Sequence, residues 1–360
     1  MKGECMSLTT KIIELEELKK FCAQALIKEG LCEEHARITA EVLAETDGFG
    51  IHSHGTKNLH NYIRKFRAGG MDIRAVPEVV REGAGYALIN GHSAIGMVPA
   101  YRAMELAIEK AGNCGVACVL VRNGSHFGAA GYYANMAAKK NMIGLALSNV
   151  DANMTIPGAR GKVIGNNPMA YAVPAGKNPP VFLDIAMSQV ASLKVIQARK
   201  EGKSVPDNWI IDENGLPTTD PSRYPEVGAM QPMAAHKGYG LALMVEILTG
   251  VLSGGGIANE VPSWLFSMEE KNNVSHAFIV IDVSKFMDPD MFNRRMEGLA
   301  DYIHNVPKAA GTDRTFCPGE PEWERHEAAE KHGLKLPPDT AESLDGLAEE
   351  MGIPIPWREK

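Results

Sequence analysis

Val116-Ala117-Cys118-Val119-Leu120-Val121 is a short, continuous apolar run, and Asn123-Gly124-Ser125-His126-Phe127-Gly128-Ala129-Ala130-Gly131 follows almost at once. A run of that length closed by a turn dipeptide reads as a buried strand. The Gly- and Ala-rich stretch lets backbone approach a ligand closely, and it leads into a helix predicted over about residues 132–141. The pattern repeats outward. Residues 86–90 read as a strand, 99–112 as a helix, and 143–149, 170–174 and 181–185 as further strands. Helices are expected over 190–201 and 238–252, and His276 to Val283 alternates as a strand. Asp212-Glu213-Asn214-Gly215 is a turn between two short extended pieces. The centre of the chain, residues 75–312, is therefore an α/β domain with a helical part near 190–260.

Both ends read as helical. Over residues 9–47, Thr9 or Thr10 can cap a helix in which Ile12, Ile13, Leu15, Leu18, Phe21, Cys22 and Leu26 follow a 3–4 spacing, with Gly30 as its stop. A second helix covers about 33–45, and a third begins near Thr56 and ends at Gly69-Gly70. The charged stretch 320–351 reads as a helical surface layer. The expected segments are residues 1–74, 75–312 and 313–360, the last returning to the first.

The chain has 360 residues, 45% hydrophobic and 22% charged, which suits a globular protein with a sizeable core. Its 37 basic and 44 acidic residues give a net charge of −7. With no basic block, this argues against nucleic acid and anionic membrane surfaces as partners. No apolar run approaches the ~18 residues of a membrane span. Met1-Lys2-Gly3-Glu4 opens no signal-peptide pattern. The six cysteines form no CxxC pair and read as buried free thiols, so a cytoplasmic location is expected.

No G-x-G-x-x-G fingerprint lies between a strand and a helix. Gly83-Ala84-Gly85 and Gly238-Tyr239-Gly240 both lack the third glycine, so a standard doubly wound nucleotide domain is not supported. Polar clusters remain. His52-Ser53-His54-Gly55, with His60 nearby, follows a glycine break and precedes a helix. His54 can act as a general acid or base, His52 and His54 can pair on a metal, or Ser53 can simply cap. His126 is a second candidate imidazole, or a residue bonded to backbone. Gly165-Asn166-Asn167-Pro168 is a turn by chemistry. Asp184 can hold ribose hydroxyls or cap the next helix. Lys237 can touch a phosphate or be a solvated charge. Pro318-Gly319-Glu320 alone is only a turn.

Taken in order, these stretches resemble one family. They are Asp47-x-x-Gly50-x-x-Ser53-His54-Gly55, Ser125 to Ala130, Gly165-x-Asn167-Pro168, Asp184-x-Ala186, Pro206-Asp207-x-Trp209 with Asp212 to Pro221, Lys237 to Gly240, and Pro318 to Glu320. The family is that of malate/L-lactate dehydrogenases unrelated to the familiar lactate dehydrogenases. It includes ureidoglycolate dehydrogenase, sulfolactate dehydrogenase, 2,3-diketo-L-gulonate reductase and Δ1-piperideine-2-carboxylate reductase. The resemblance implies an L-sulfolactate dehydrogenase-like α/β fold whose cofactor domain is a largely antiparallel, non-Rossmann sheet. It implies an NAD- or NADP-dependent oxidoreductase of 2-hydroxy or 2-keto acids, dimeric or larger, with a small-molecule substrate and no metal. Carried over by position, His54 is the acid/base with Ser53 beside it, and His126 is a second active-site imidazole. Ser148, Asp184, Ile185, Ala186, Lys237, Gly238, Pro318, Gly319 and Glu320 line the cofactor, and Tyr62 lies on the substrate side. One departure stands out. The family's carboxylate-clamping arginine is Asn58 here, leaving Lys57 or Arg64 to supply charge, because an amide cannot form a charged bidentate grip. A cyclic ketimine reductase, a metal hydrolase on His52, His54 and His60, and a non-catalytic redox sensor are the alternatives.

Overall fold

The computed structural model describes residues 11–359, so Cys5, the capping candidates Thr9 and Thr10, and the leader reading at Met1 to Glu4 lie outside them. The chain divides into two units. One comprises residues up to 67 together with 319 onward, and the other residues 68–318. The breaks read from sequence, at 74 and 313, fall a few residues from these.

The first unit begins with β1 (Lys11–Ile13), α1 (Leu15–Glu29), α2 (Glu33–Gly48), a 3₁₀ turn (Thr56–Asn58) and α3 (Leu59–Ala68). In α1 the buried residues Leu15, Leu18, Phe21, Cys22, Ala25 and Leu26 make one stripe, and Gly30 stops the helix at φ 112° with its N–H turned back to Ile27. Ile12 and Ile13 are not part of that helix, contrary to the spacing. They pair antiparallel with two short strands from the far end of the chain, a nonlocal contact that no local period announces.

The second unit contains β2 (Glu78–Gly83), β3 (Tyr86–Asn90), α4 (Met97–Cys114), β4 (Val116–Gly124), α5 (Ala130–Ala138), β5 (Met142–Ser148), β6 (Met169–Ala175), β7 (Asn178–Ile185) and α6 (Ser192–Lys200). Three two-residue strands follow, β8 (Ile210–Ile211), β9 (Pro217–Thr218) and β10 (Ala229–Met230). Then come α7 (His236–Glu246), running into a π turn (Ile247–Val251), β11 (Val274–Asp282) and α8 (Pro289–Asn305). The main sheet has seven strands in the order β2-β3-β4-β11-β5-β6-β7. Only β3 and β4 run parallel; every other neighbouring pair is antiparallel. Helices α4 and α5 pack on the sheet. A Cβ on Gly144 of β5 would lie 2.6 Å from the Ala134 carbonyl of α5, so glycine permits that approach. Leu120, Leu147 and Ala277 of the sheet form a separate cluster with Val245 of α7.

A buried polar network fixes α7 to the strand ends. The Glu246 carboxylate accepts from Asn167 Nδ2 at 2.6 Å, from Ala258 N at 2.8 Å and from Asn149 Nδ2 at 3.4 Å. Asn149 also donates to Gly256 and accepts from Ser275 N. The Gly165 to Pro168 turn therefore braces the fold, because satisfied buried groups fix one arrangement. Helix α8 has no counterpart in the sequence reading, although Asp288 capping Met291 N and Pro289 in the first turn are start signals.

The chain returns to the first unit as α9 (Glu320–His332), β12 (Leu334–Lys335), α10 (Pro338–Met351) and β13 (Arg358–Glu359). The single helical layer expected over 320–351 is thus two helices split at Gly333, whose φ is 79°. The expectation of buried thiols holds for Cys22 and Cys317 but not for Cys32 and Cys114, which are exposed where they flank helix ends. Among the described residues no helix is long and apolar enough to cross a membrane.

An acid-labile contact joins α2 to α9. Glu45 accepts from His326 Nε2 at 2.7 Å and pairs with Lys19 Nζ at 2.7 Å. Burial alone would raise the Glu45 carboxyl, but these partners outweigh it and hold it down to about 2 from 4.5. A lowered folded-state value stabilises above the unfolded one and is lost as pH falls through the folded one, here from 4.5 toward 2. The shift corresponds to about 3 kcal/mol. Urea unfolding of wild type and Glu45→Gln should differ most above pH 4.5 and converge as the pH drops. A difference constant from pH 6 to 3 would contradict the assignment.

Candidate active site

In the first unit, the carboxylate of Asp47, at the end of α2 and fully buried, builds the turn that presents His54. It accepts from Thr56 N at 2.9 Å, Thr56 Oγ1 at 2.5 Å and His52 Nδ1 at 2.8 Å. A Cβ on Gly55 would come within 2.8 Å of Asp47 Oδ2 and closer to Oδ1, so glycine is required there. The motif Asp47 to Gly55 is therefore one construction, a carboxylate with the turn wrapped on it. His54 N bonds Ile51 O at 3.0 Å, and Ser53 Oγ lies 2.8 Å from His54 Nδ1. Desolvation lowers the His54 pKa from its ordinary 6.5, which favours neutral imidazole at neutral pH.

The other first-unit candidates are engaged locally. Asn58 is buried and donates to the Ser53 carbonyl at 2.8 Å, so it braces the turn. Lys57 pairs with Asp339 of α10. Tyr62 is buried in α3, and burial pushes its phenol well above the usual range. His60 bonds Glu350 at 2.9 Å. With His52 on Asp47, His54 on Ser53 and His60 on Glu350, the three histidines do not form a ligand cluster. Gly319, at φ 92°, precedes α9, and Glu320 opens it.

In the second unit, four candidate segments meet around the end of β7. Asp184 Oδ2 accepts from Gly131 N at 2.7 Å, so it caps α5 and not the helix after it. Burial pushes the Asp184 carboxyl up to about 6 against that hydrogen bond. Beyond Ile185 and Ala186, Met187 N bonds Asn166 O at 2.7 Å and Met187 O accepts from Met233 N at 2.9 Å. Gly238 sits where a Cβ would be 2.9 Å from Met187 O. Phe182 N bonds Pro318 O at 3.0 Å. Lys237 is exposed in the first turn of α7, preceded by Ala234 and Ala235 at φ 47° and 52°. Two successive alanines in the left-handed region are strained, as is frequent at ligand sites. A lysine there opposes the helix dipole, and a bound anion would offset both.

His126 stacks on Trp264, ring centroids 4.2 Å apart at 14°. The next residue, Phe127, stacks on His276. Ser148 is buried, with its hydroxyl donated to Asn149 O at 2.8 Å and placed 2.9 Å from His276 Nδ1. Ser125 Oγ is buried with no hydrogen-bond partner. Sequence reasoning missed Asp47's role, Trp264 and His276. An imidazole at an inward position of an alternating strand was the available signal for His276; Trp264 had none.

Comparison with known proteins bears on this arrangement. The family described as malate/L-lactate dehydrogenase matches residues 13–345. A malate dehydrogenase of Pyrococcus horikoshii is 36% identical, covering 94% of this chain and 95% of its own. An Escherichia coli ureidoglycolate dehydrogenase (NAD(+)) is 31% identical over 92% and 94%. A Pseudomonas putida Δ1-pyrroline-2-carboxylate/Δ1-piperideine-2-carboxylate reductase is 29% identical over 94% and 97%. The crystal structure of malate dehydrogenase from Entamoeba histolytica superposes with a TM-score of 0.90 at 30% identity, covering 96% and 99%. None of these is named a hydrolase, and with the three histidines on separate partners the metal reading is not favoured. The convergence at β7, the turn built on Asp47 and a family match across most of the sequence agree: this chain belongs to the malate/L-lactate dehydrogenase family.

Proposed function

We propose that this protein is an NAD(P)-dependent oxidoreductase that moves a hydride between a nicotinamide cofactor and C2 of a 2-hydroxy or 2-keto acid. The observation that carries the reading is the turn on Asp47, which presents a partly desolvated imidazole with Ser53 on its Nδ1. Cofactor residues are proposed on the segments around β7: Asp184, Ile185, Ala186, Lys237, Gly238 and Pro318, with Gly319 and Glu320. The orphaned Ser125 hydroxyl and the lysine at the start of α7 fit a polar, anionic ligand of this kind. When bound, the nicotinamide supplies the hydride acceptor or donor.

The protein's own task is the proton. Oxidation of an alcohol leaves a carbonyl, so the hydroxyl proton needs a base. In oxidation the His54 imidazole takes that proton, and in reduction the imidazolium returns it. His126 is proposed as a second active-site imidazole, and Tyr62 as a substrate-side residue. Asn58 and Lys57 are proposed on the substrate side, with the Asn58 amide also holding the turn through the Ser53 carbonyl. Because burial lowers His54 below 6.5, kcat/KM for oxidation should rise with pH to a midpoint under 6.5 and stay level above neutrality. Reduction should lose activity over the same midpoint as His54 deprotonates. Initial rates from pH 4.5 to 9 check this, and a midpoint above 6.5 in both directions would assign the proton elsewhere.

A cyclic ketimine reductase on the same scaffold is the second reading, favoured by the reductase relative. Assaying NADH and NADPH oxidation with pyruvate, oxaloacetate and Δ1-piperideine-2-carboxylate separates the two. We further infer a cytoplasmic homodimer or larger assembly and a cofactor sheet that is not of the Rossmann type. The support for assembly is an apolar stripe of Leu241, Met244, Ile247, Val251 and Leu252, all exposed on α7 and its continuation. Support for the sheet type is its single parallel pair and the absent glycine fingerprint. Sedimentation at micromolar concentration returning only monomer would reject the assembly.

A further inference from the structure

We propose that His276 is a positioning residue for the loop that carries His126, acting through Phe127, Ser148 and the Ser125 backbone. This rests on the reading of His126 as an active-site residue. His276 stands on β11 with no exposed surface. Its ring lies on Phe127 with centroids 4.4 Å apart and planes 2° from parallel. Nδ1 lies 2.9 Å from Ser148 Oγ. The opposite edge faces the loop: a Cβ on Gly124 would stand 3.1 Å from Nε2, and Nε2 points toward the Ser125 backbone without completing a well-formed hydrogen bond. With the Ser148 hydroxyl donated to Asn149 O, Nδ1–H donates to Ser148 Oγ, and the ring spans from the end of β5 to the start of the loop. Phe127 is the residue after His126, so the stack sets where His126 leaves the backbone. The same loop ends at Gly131, whose N–H holds Asp184. One buried imidazole thus ties the end of β5 to the loop whose far end holds Asp184.

A phenylalanine at this place would fill the space without the hydrogen bond, and a glutamine would offer a hydrogen bond without the stack. Burial pushes the His276 imidazole down to about 3. The ring stays neutral at working pH and exchanges no proton, so its effect is placement. Displacements of about 1 Å in a reacting group cost up to about 100-fold in rate.

The test compares wild type with His276→Phe, His276→Gln and Ser148→Ala, using NADH or NADPH and the keto acid or imine that wild type turns over. The expected result for His276→Phe is a fall in kcat of about tenfold or more at saturating cofactor, with the pH midpoint of kcat/KM unmoved. His276→Gln should recover part of kcat, and Ser148→Ala should follow His276→Phe. The second readout is Trp264 emission, taken as the difference from the same protein carrying Trp264→Phe. An imidazole stacked on indole quenches it, so release of the loop should change that emission. A lowered thermal midpoint with kcat and Trp264 emission both unchanged would reduce His276 to packing and overturn the proposal. A shifted pH midpoint would place His276 in the proton path and overturn it too. If His276→Phe does not fold, Ser148→Ala removes the same hydrogen bond by deleting one oxygen, and the same outcomes decide. If wild type turns over none of the substrates, the functional reading fails, yet Trp264 emission still decides whether His276 sets the loop.

Discussion

His54→Gln should lower turnover by at least about 100-fold while leaving the dissociation constant for NADH or NADPH within about twofold. Glutamine can keep a hydrogen bond toward Ser53, and nothing in the Asp47 network depends on the imidazole. Asp47 bonds Thr56 and His52, and Asn58 holds the Ser53 carbonyl. The turn should therefore fold as before, and only the proton acceptor is lost. The acid limb of the pH profile should vanish with it. Steady-state kinetics on a folded variant, with fluorescence titration of the cofactor, checks both halves. If His54→Gln turns over normally and His126→Gln alone is inactive, the two imidazoles have exchanged roles.

Gly96→Ala should cost about 2–3 kcal/mol of stability and about tenfold or more in turnover. Gly96 precedes α4 at φ −58° and ψ −27°, a conformation any residue adopts, so the effect is purely steric. An added Cβ would stand 2.7 Å from the His126 carbonyl carbon, and closer to the carbonyl oxygens of Ser125 and His126. Those are backbone atoms and cannot rotate aside. The loop carrying His126 must move or α4 must lift from the sheet. Urea unfolding and initial rates measure the two effects. Wild-type values for both would mean that the loop is looser than its packing implies.

What the sequence disclosed, and what it hid, follows from the range of the forces involved. The stop of α1 at Gly30 and the strand beginning at Val116 are local events, set by a glycine in the left-handed region and by a short apolar run. They are legible without coordinates. The strand at Lys11–Ile13 exists only because residues more than three hundred positions away pair with it. β2 is exposed at every residue but the half-buried Gly83, with no alternation to read. The break at Gly333 was overridden by the charge pattern on either side.

The candidate residues show the same division. His54, His126, Asp184 and Lys237 stand in recognisable motifs. What each motif residue does was harder to see. Asp184 turned out to cap α5, Asn167 to brace α7, and Asn58 to hold a carbonyl. Gly96 matters through packing against a segment far from it in sequence, so no spacing rule identifies it, and for His276 the strand alternation marks an inward imidazole but not what it holds. The departure at Asn58 was visible from the start, but its reason, a buried amide serving the turn, needed coordinates.

The most direct measurement is isotope transfer. Purified protein is incubated with NADH or NADPH carrying deuterium at C4 of the nicotinamide, on either face. It is paired in turn with pyruvate, oxaloacetate and Δ1-piperideine-2-carboxylate, and the product is read by mass spectrometry. The account expects one deuterium at C2 of at least one product, from one face only. Absence of deuterium from every product, with protein that binds the cofactor, would contradict it.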